Sequence, residues 1–233
     1  MRRSKLYKSR AEKIDQSKVY ALTEALEALK SAPGAKFDES VDLAIKLGID
    51  PKQSDQNVRG AVPLPKGVGK DTRVAVVASG DAADQAKAAG ADHVGMEDLV
   101  AKIKDGWLDF DVLVATPDAM KLVRPLGRVL GPRGLMPNPK TGTVTDDVES
   151  AVKMAKAGRV EFRNDKGGCV HAPIGRLSFP VEDLAENFSA VIKALLRARP
   201  ATSKGVFIQK CALSATIGPS VAVDIKDFSK AAS

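Results

Sequence analysis

TRVAVVASGDAADQAKAAGADHVGMEDLVAKIKDGWLDFDVLVAT, residues 72–116, contains two runs that are apolar at every position, Val74–Ala78 and Val112–Ala115. A strand of that kind buries both faces, as strands do in a parallel sheet between helices. Parallel neighbours also need a long crossover. The alanine-rich DAADQAKAAG (81–90) and MEDLVAKIKDG (96–106) have the composition of crossover helices. The middle of the chain therefore reads as a small α/β domain with a parallel sheet.

The flanks follow a different rule. On the N-terminal side a helical pattern from Ser17 to Leu29 precedes a clean alternation at Val41, Leu43, Ile45, Leu47 and Ile49, a strand with one buried face that ends at Asp50 and Pro51. On the C-terminal side strands are expected in VEFRN (160–164) and CVHAPIG (169–175). A helix follows, with Val181, Leu184, Phe188, Val191, Ile192 and Leu195 on one face between Pro180 and Pro200. VFIQKCALSATI (206–217) and VAVDI (221–225) read as two closing strands. Neither flank is large enough to hold a comfortable core alone, so the economical arrangement joins them into one discontinuous α+β domain with an antiparallel sheet. The connections to the middle block would be LPKGVGKDT (64–72) and MAKAGRVEF (154–162), whose glycines and lysines suit a hinge.

Composition narrows the function. With 44% hydrophobic and 28% charged residues among 233, the chain is globular in character, and its longest apolar runs are far too short to span a bilayer. The basic MRRSKLYKSRAEKID has Glu12 and Asp15 where a signal peptide needs an apolar stretch, and reads as a retained basic helix or arm of a cytoplasmic protein. Cys169 and Cys211 are the only cysteines and form no paired-ligand spacing. The net charge is +7, and 119–145 and 187–223 each carry five basic residues and no acid. Two such stretches and a basic N-terminus suit a polyanion such as nucleic acid.

Catalytic and cofactor motifs fail on inspection. GVGKDT (67–72) lacks the upstream glycine of a phosphate loop and has Asp71 where magnesium needs a hydroxyl; as a dinucleotide fingerprint it precedes a strand instead of following one. Cys169 and His171 share a strand face, and a metal site would need Cys211 or His93 to join them; a buried cysteine beside a hydrogen-bonded histidine is the simpler reading. Acid pairs such as Asp146 and Asp147, or Glu182 and Asp183, sit at helix starts, where the helix dipole favours them. No catalytic residue, metal site or cofactor is expected.

RVLGPRGLMPNPKTGTV (128–144) stands apart, with prolines at 132, 137 and 139 and glycines at 131, 134 and 142. Fixed φ values and missing donors predict a stiff, extended loop with few internal hydrogen bonds. It is either a basic edge facing a polyanion or a wrap over its own domain.

LGPRGLMPNPKTGTV (130–144) resembles the signature of the ribosomal protein L-one family, and the likeness runs through most of the chain. KFDESVDLAIKLGIDPKQSDQNVRG (36–60), AGADHVG (89–95), WLDFDVLVATPDAM (107–120), RVEFRNDKGGCVHAPIG (159–175) and SATIGPSVAVD (214–224) are all similar to bacterial members. The resemblance implies an RNA-binding α+β domain of 1–66 and 160–233 interrupted by a Rossmann-like α/β domain of 67–159 on a two-strand hinge. It implies a noncatalytic constituent of the large ribosomal subunit, monomeric within the ribosome. Such a protein holds the rRNA stalk, assists release of deacylated tRNA from the exit site and represses its own operon by binding the mRNA. No membrane or small-molecule substrate is implied.

Carried over by motif, the implied RNA-binding residues are Lys36, Phe37, Lys166, His171, Ser214, Thr216, Ile217 and Gly218, with Glu27 a weaker addition. Lys36 and Lys166 would meet phosphates, Ser214 and Thr216 ribose hydroxyls, and Gly218 would let backbone approach a ribose. Phe37 is either a stacking surface or the first core residue of its strand; His171 is either a contact or a structural hydrogen-bonding group. With aromatic residues at 4%, recognition should rest on folded RNA shape more than on splayed bases. The chain departs from the family pattern at Ile217, where Met is usual, and at Gly167, where Thr is usual.

Overall fold

The computed structural model describes residues 3–32 and 34–225; Met1 and Arg2 of the expected basic arm, and 226–233, lie outside the described residues. In chain order the elements are α1 (Lys5–Ala11), β1 (Val19–Tyr20), α2 (Leu22–Ser31), β2 (Ser40–Leu47), β3 (Arg59–Pro63), β4 (Val74–Val77), α3 (Asp81–Ala88), β5 (His93–Gly95), α4 (Glu97–Lys104) and β6 (Val112–Ala115). There follow α5 (Met120–Val123), α6 (Gly127–Leu130), α7 (Val148–Lys156), β7 (Arg159–Arg163), β8 (Cys169–Arg176), α8 (Val181–Arg197), β9 (Ile208–Ala215) and β10 (Ser220–Val223). They form two compact units, 1–69 with 160–233, and 70–159.

The discontinuous unit is built on a five-stranded sheet in the order β1-β10-β9-β2-β8. Its core lies on one face, where Val41, Leu43, Ile45 and Leu47 meet Leu26 and Leu29 of α2 and Leu184, Phe188, Val191 and Ile192 of α8. Burial of each large apolar side chain stabilises by about 1.5–3 kcal/mol, so this face fixes the strand register. The sheet is antiparallel except at its edge, where β1 runs parallel to β10 with Val19 opposite Ala222. That pairing draws Val19 and Tyr20 out of the helical pattern expected from Ser17, and α2 starts only at Leu22. β3, with a glycine and a proline in five residues, has no legible alternation and pairs with β7 in a separate ribbon.

Asn187, fully buried on α8, organises the segment after β3. Its Oδ1 accepts from the Lys66 amide at 3.1 Å, and its Nδ2 donates to the carbonyls of Gly67 (3.0 Å) and Ile174 (2.8 Å). Gly69 has φ +71°, and a Cβ there would lie 2.9 Å from Arg176 and Phe179. The first connection is thus anchored through Gly69. The second is regular nearly throughout, since α7 ends at Lys156 and β7 begins at Arg159.

The middle unit carries a parallel sheet in the order β5-β4-β6. Every residue of β4 is buried, and two apolar clusters lie against the sheet: Ala75, Val77 and Leu113 pack with α4 and α5, Val74, Val76 and Val114 with α3 and α7. The short β5 was not legible in HVG, which has one apolar side chain in three.

The proline-rich segment departs from the expected extended loop. Gly127–Leu130 is a helical turn, and the residues after it are dense in internal hydrogen bonds. Asn138 accepts through its carbonyl from the Thr141 and Thr143 amides and hydroxyls, while its own amide donates to Thr143 Oγ1 at 2.8 Å. Thr141 and Thr143 are buried, and Val144 forms a parallel bridge to Ala115, extending the sheet beside β6. The prolines remove donors, and the amides of Gly131, Gly134, Leu135, Asn138, Thr141, Gly142 and Thr143 bond inside the unit.

Candidate nucleic-acid interface

The side of the five-stranded sheet turned away from its core presents Ser40, Asp42, Ala44 and Lys46 from β2, His171 and Pro173 from β8, Lys210, Ala212 and Ser214 from β9, and Ser220 and Ala222 from β10, all partly or fully exposed. In register, Ala44 lies between His171 and Ala212, and Ser214 between Asp42 and Ser220. Alanines and serines make the centre low and flat, so a broad ligand can lie close to the backbone. Burial holds the Asp42 carboxyl above its ordinary pKa, against the pull of His171 and Arg176.

One end of this face gathers Lys36, Phe37, Ser214, Thr216, Ile217 and Gly218. Lys36 is exposed, and Phe37 is 53% exposed, so its ring is not the start of the core; the inward alternation begins at Val41. The turn after β9 is closed by the Gly218 amide donating to the Ala215 carbonyl at 3.0 Å. The Thr216 hydroxyl clasps the first residue of β2, accepting from the Ser40 amide at 3.1 Å and donating to its carbonyl at 3.4 Å. Its proton is therefore used inside the protein, and one lone pair is left to accept from a ligand. The Ile217 amide donates to Glu39 Oε2 at 3.0 Å. Because that bond is made by backbone, Ile in place of Met leaves the turn intact.

Lys166 lies at the opposite end, beyond the far end of the eight-residue β2, whose seven steps span roughly 23 Å at about 3.3 Å per residue. Here Asp165 Oδ1 accepts from the amides of Gly167 (2.8 Å) and Cys169 (2.7 Å), bonds that hold its carboxyl below its ordinary pKa. Lys46 Nζ donates to the Gly167 carbonyl, and Gly168, at φ +72°, takes a conformation that only glycine adopts easily. Lys166 projects exposed from this turn. His171 sits between the two ends, with a 65% exposed side chain and Nε2 3.8 Å from Asp165 Oδ2. Glu27 is exposed on α2. Six of the implied residues therefore cluster at one end of the face, Lys166 stands alone at the other, and His171 lies between them.

Metal and nucleotide chemistry fit poorly. Cys169 points to the outer face and Cys211 to the core, where burial pushes its thiol up to about 12. In the middle unit the first turns of α3 and α4 carry Asp81, Asp84, Glu97 and Asp98, which meet the positive helix ends and repel phosphates. A cavity of about 690 Å³ beside β5 is lined by Asp92, His93, Asp98, Lys102, Asp105 and Trp107 among others, a surface with three carboxylates and one lysine.

The model of the family described as "Ribosomal protein L1p/L10e family" matches residues 28–219. The chain belongs to this family. Members named "Large ribosomal subunit protein uL1" are similar over nearly their whole length. That of Methylobacillus flagellatus is 60% identical over 221 residues, covering 95% of this chain and 96% of the relative. Those of Burkholderia lata and Thiobacillus denitrificans are 59% and 58% identical, each covering 95% of this chain and 95% and 96% of the relative. The family match spans both ends of the open face and the whole middle unit.

Several side chains of this face escaped the sequence reading. Lys46 and Lys210 stand opposite one another in register, though nothing in the sequence pairs them. Arg10 and Glu39 are buried beneath the Thr216 end, and an acid just before a strand gives no sign of burial.

Proposed function

We propose that this protein, a constituent of the large ribosomal subunit, binds the rRNA stalk across the open face of its five-stranded sheet. The observation that carries this reading is the gathering of Lys36, Phe37, Ser214, Thr216 and Gly218 at one end of a flat, uncovered face that has Lys46, Lys166 and Lys210 towards the other. The wide, shallow minor groove of folded RNA offers ribose hydroxyls and phosphates to such a surface, and small side chains let it come close. The lysines neutralise phosphate, Ser214 and the free lone pair of Thr216 take ribose hydroxyls, and Phe37 offers an exposed ring for stacking. Asp42 suits a ribose hydroxyl donor. The units 1–69 with 160–233 and 70–159 serve as RNA-binding domain and inserted domain. The role is noncatalytic and belongs to the cytoplasmic ribosome; assistance to deacylated tRNA leaving the exit site, and repression of its own operon through a stalk-like mRNA structure, use the same protein.

Affinity for a stalk fragment of large-subunit rRNA across a salt series tests this. The expected result is a linear fall of log affinity with log salt and a loss of at least about tenfold, near 1.4 kcal/mol, on Thr216→Ala. A silent Thr216→Ala, with affinity set by total charge alone, would contradict the assignment.

A further inference from the structure

Among the described residues Arg10 and Glu39 are the two buried charged side chains, 2% and 1% exposed. The Arg10 guanidinium forks onto the Glu39 carboxylate, with Nη1 2.8 Å from Oε2 and Nη2 donating to Oε1. The same carboxylate accepts from the Ala35 amide at 3.2 Å and the Ile217 amide at 3.0 Å. The Glu39 carbonyl accepts from Leu177 beyond β8 at 2.8 Å. One acid therefore ties α1, the 35–39 segment and the 215–218 turn together. Lys36 and Phe37 lie between two of its anchor points, and Thr216 and Gly218 flank the third.

We infer that Glu39, held by Arg10, is a positioning residue for RNA binding: it sets the geometry of the two segments that carry Lys36, Phe37, Thr216 and Gly218 and touches no RNA itself. This rests on the proposed RNA-binding reading. A buried ion pair is a poor source of net stability, because removing both charges from water costs about what their attraction returns. Directed bonds from one planar carboxylate to two amides and a guanidinium fork do something an apolar plug cannot: they fix where two loops stand relative to each other. Arg10 holds the Glu39 carboxyl below its ordinary pKa, so the pair stays ionised at neutral pH.

The test uses the full chain with Glu39→Gln, Arg10→Lys, Thr216→Ala and the double variant Glu39→Gln/Thr216→Ala, measuring affinity for the stalk rRNA fragment at a temperature where circular dichroism finds each folded. The amide resonances of Ala35 and Ile217 are followed in parallel. Glu39→Gln is expected to move both resonances and lower affinity at least about tenfold. With Thr216→Ala it should lose less than the product of the single losses, because both act on one turn. If Glu39→Gln fails to fold, Arg10→Lys, which keeps the charge and loses the fork, carries the same expectation at several-fold. Wild-type affinity in a folded Glu39→Gln or Arg10→Lys protein overturns the proposal, as do unmoved Ala35 and Ile217 amides. Moved amides in a chain that does not bind the fragment at all overturn the RNA reading and leave the positioning of the turn standing.

Discussion

Every residue of β4 is buried, whereas along β2 each buried residue is followed by one that is partly or fully exposed. The three-stranded sheet has an apolar cluster against each face and so has none free for a ligand. The five-stranded sheet has its core on one face and leaves the other uncovered, with small residues at the centre and basic ones at the ends. Two loops differ in the same way. The 138–145 segment turns its hydroxyls and amides on itself, while the 36–40 and 214–218 segments are cross-braced from beneath and keep Lys36, Phe37 and Thr216 outward. A binding surface needs polar groups held in place yet left with bonding capacity, and charge alone does not supply that.

One acid placed in each sheet should separate the two most strongly. Val114→Asp in β6 buries an unpaired carboxyl at a fully buried position and should cost more than about 4 kcal/mol in chemical denaturation. Ala212→Asp on the open face should change stability by less than about 1 kcal/mol yet reduce affinity for stalk RNA on the order of a hundredfold at low salt. Equal destabilisation by the two would mean that the open face is not open.

Next in size is Asn187→Ala, which strands the Lys66 amide and the carbonyls of Gly67 and Ile174. Unfolding of the discontinuous unit should become easier by about 2–4 kcal/mol, read as an earlier urea midpoint. Gly218→Ala separates binding from folding. A Cβ there would meet nothing closer than 3.5 Å, so stability should hold while RNA affinity falls about tenfold if the backbone approaches a ribose. Unchanged affinity would remove Gly218 from the interface.

Smallest is the salt slope. Lys46→Ala and Lys210→Ala should each lower the log–log slope by about 1, whereas Arg133→Ala, exposed in the middle unit, should leave it unchanged for the stalk fragment.

Acid sharpens the contrast beneath the site. Glu39 has a lowered folded pKa, so its contribution is present above the unfolded carboxylate value of about 4.3 and is lost as pH falls through the lower folded value. Glu39→Gln should flatten that part of the acid-unfolding curve.

The fold class was legible because both sheets write their burial pattern into the chain: VAVV has no polar position to turn outward, and SVDLAIKL alternates. What escaped were β1 and β5, too short to carry a period, and β3, whose glycine and proline leave no alternation; β1 and β3 also pair with strands remote in sequence. The loop at 128–144 misled because proline and glycine content speaks of φ and missing donors but not of where the remaining donors go; Asn138 and the two buried threonines decide that. At the candidate site, the residues that resemblance supplied lie at the ends of the open face, except His171 in its middle and Glu27 on α2. Glu39 and Arg10 stayed invisible, since burial of a charge depends on a partner 29 positions away.

The most direct measurement is amide hydrogen exchange of the full chain with and without the stalk rRNA fragment. RNA binding across the open face should bring new protection at 36–40, 44–46, 166–171 and 210–218 and none in the 124–145 segment. Protection confined to 124–145, with the open face exchanging as in the free protein, would contradict it.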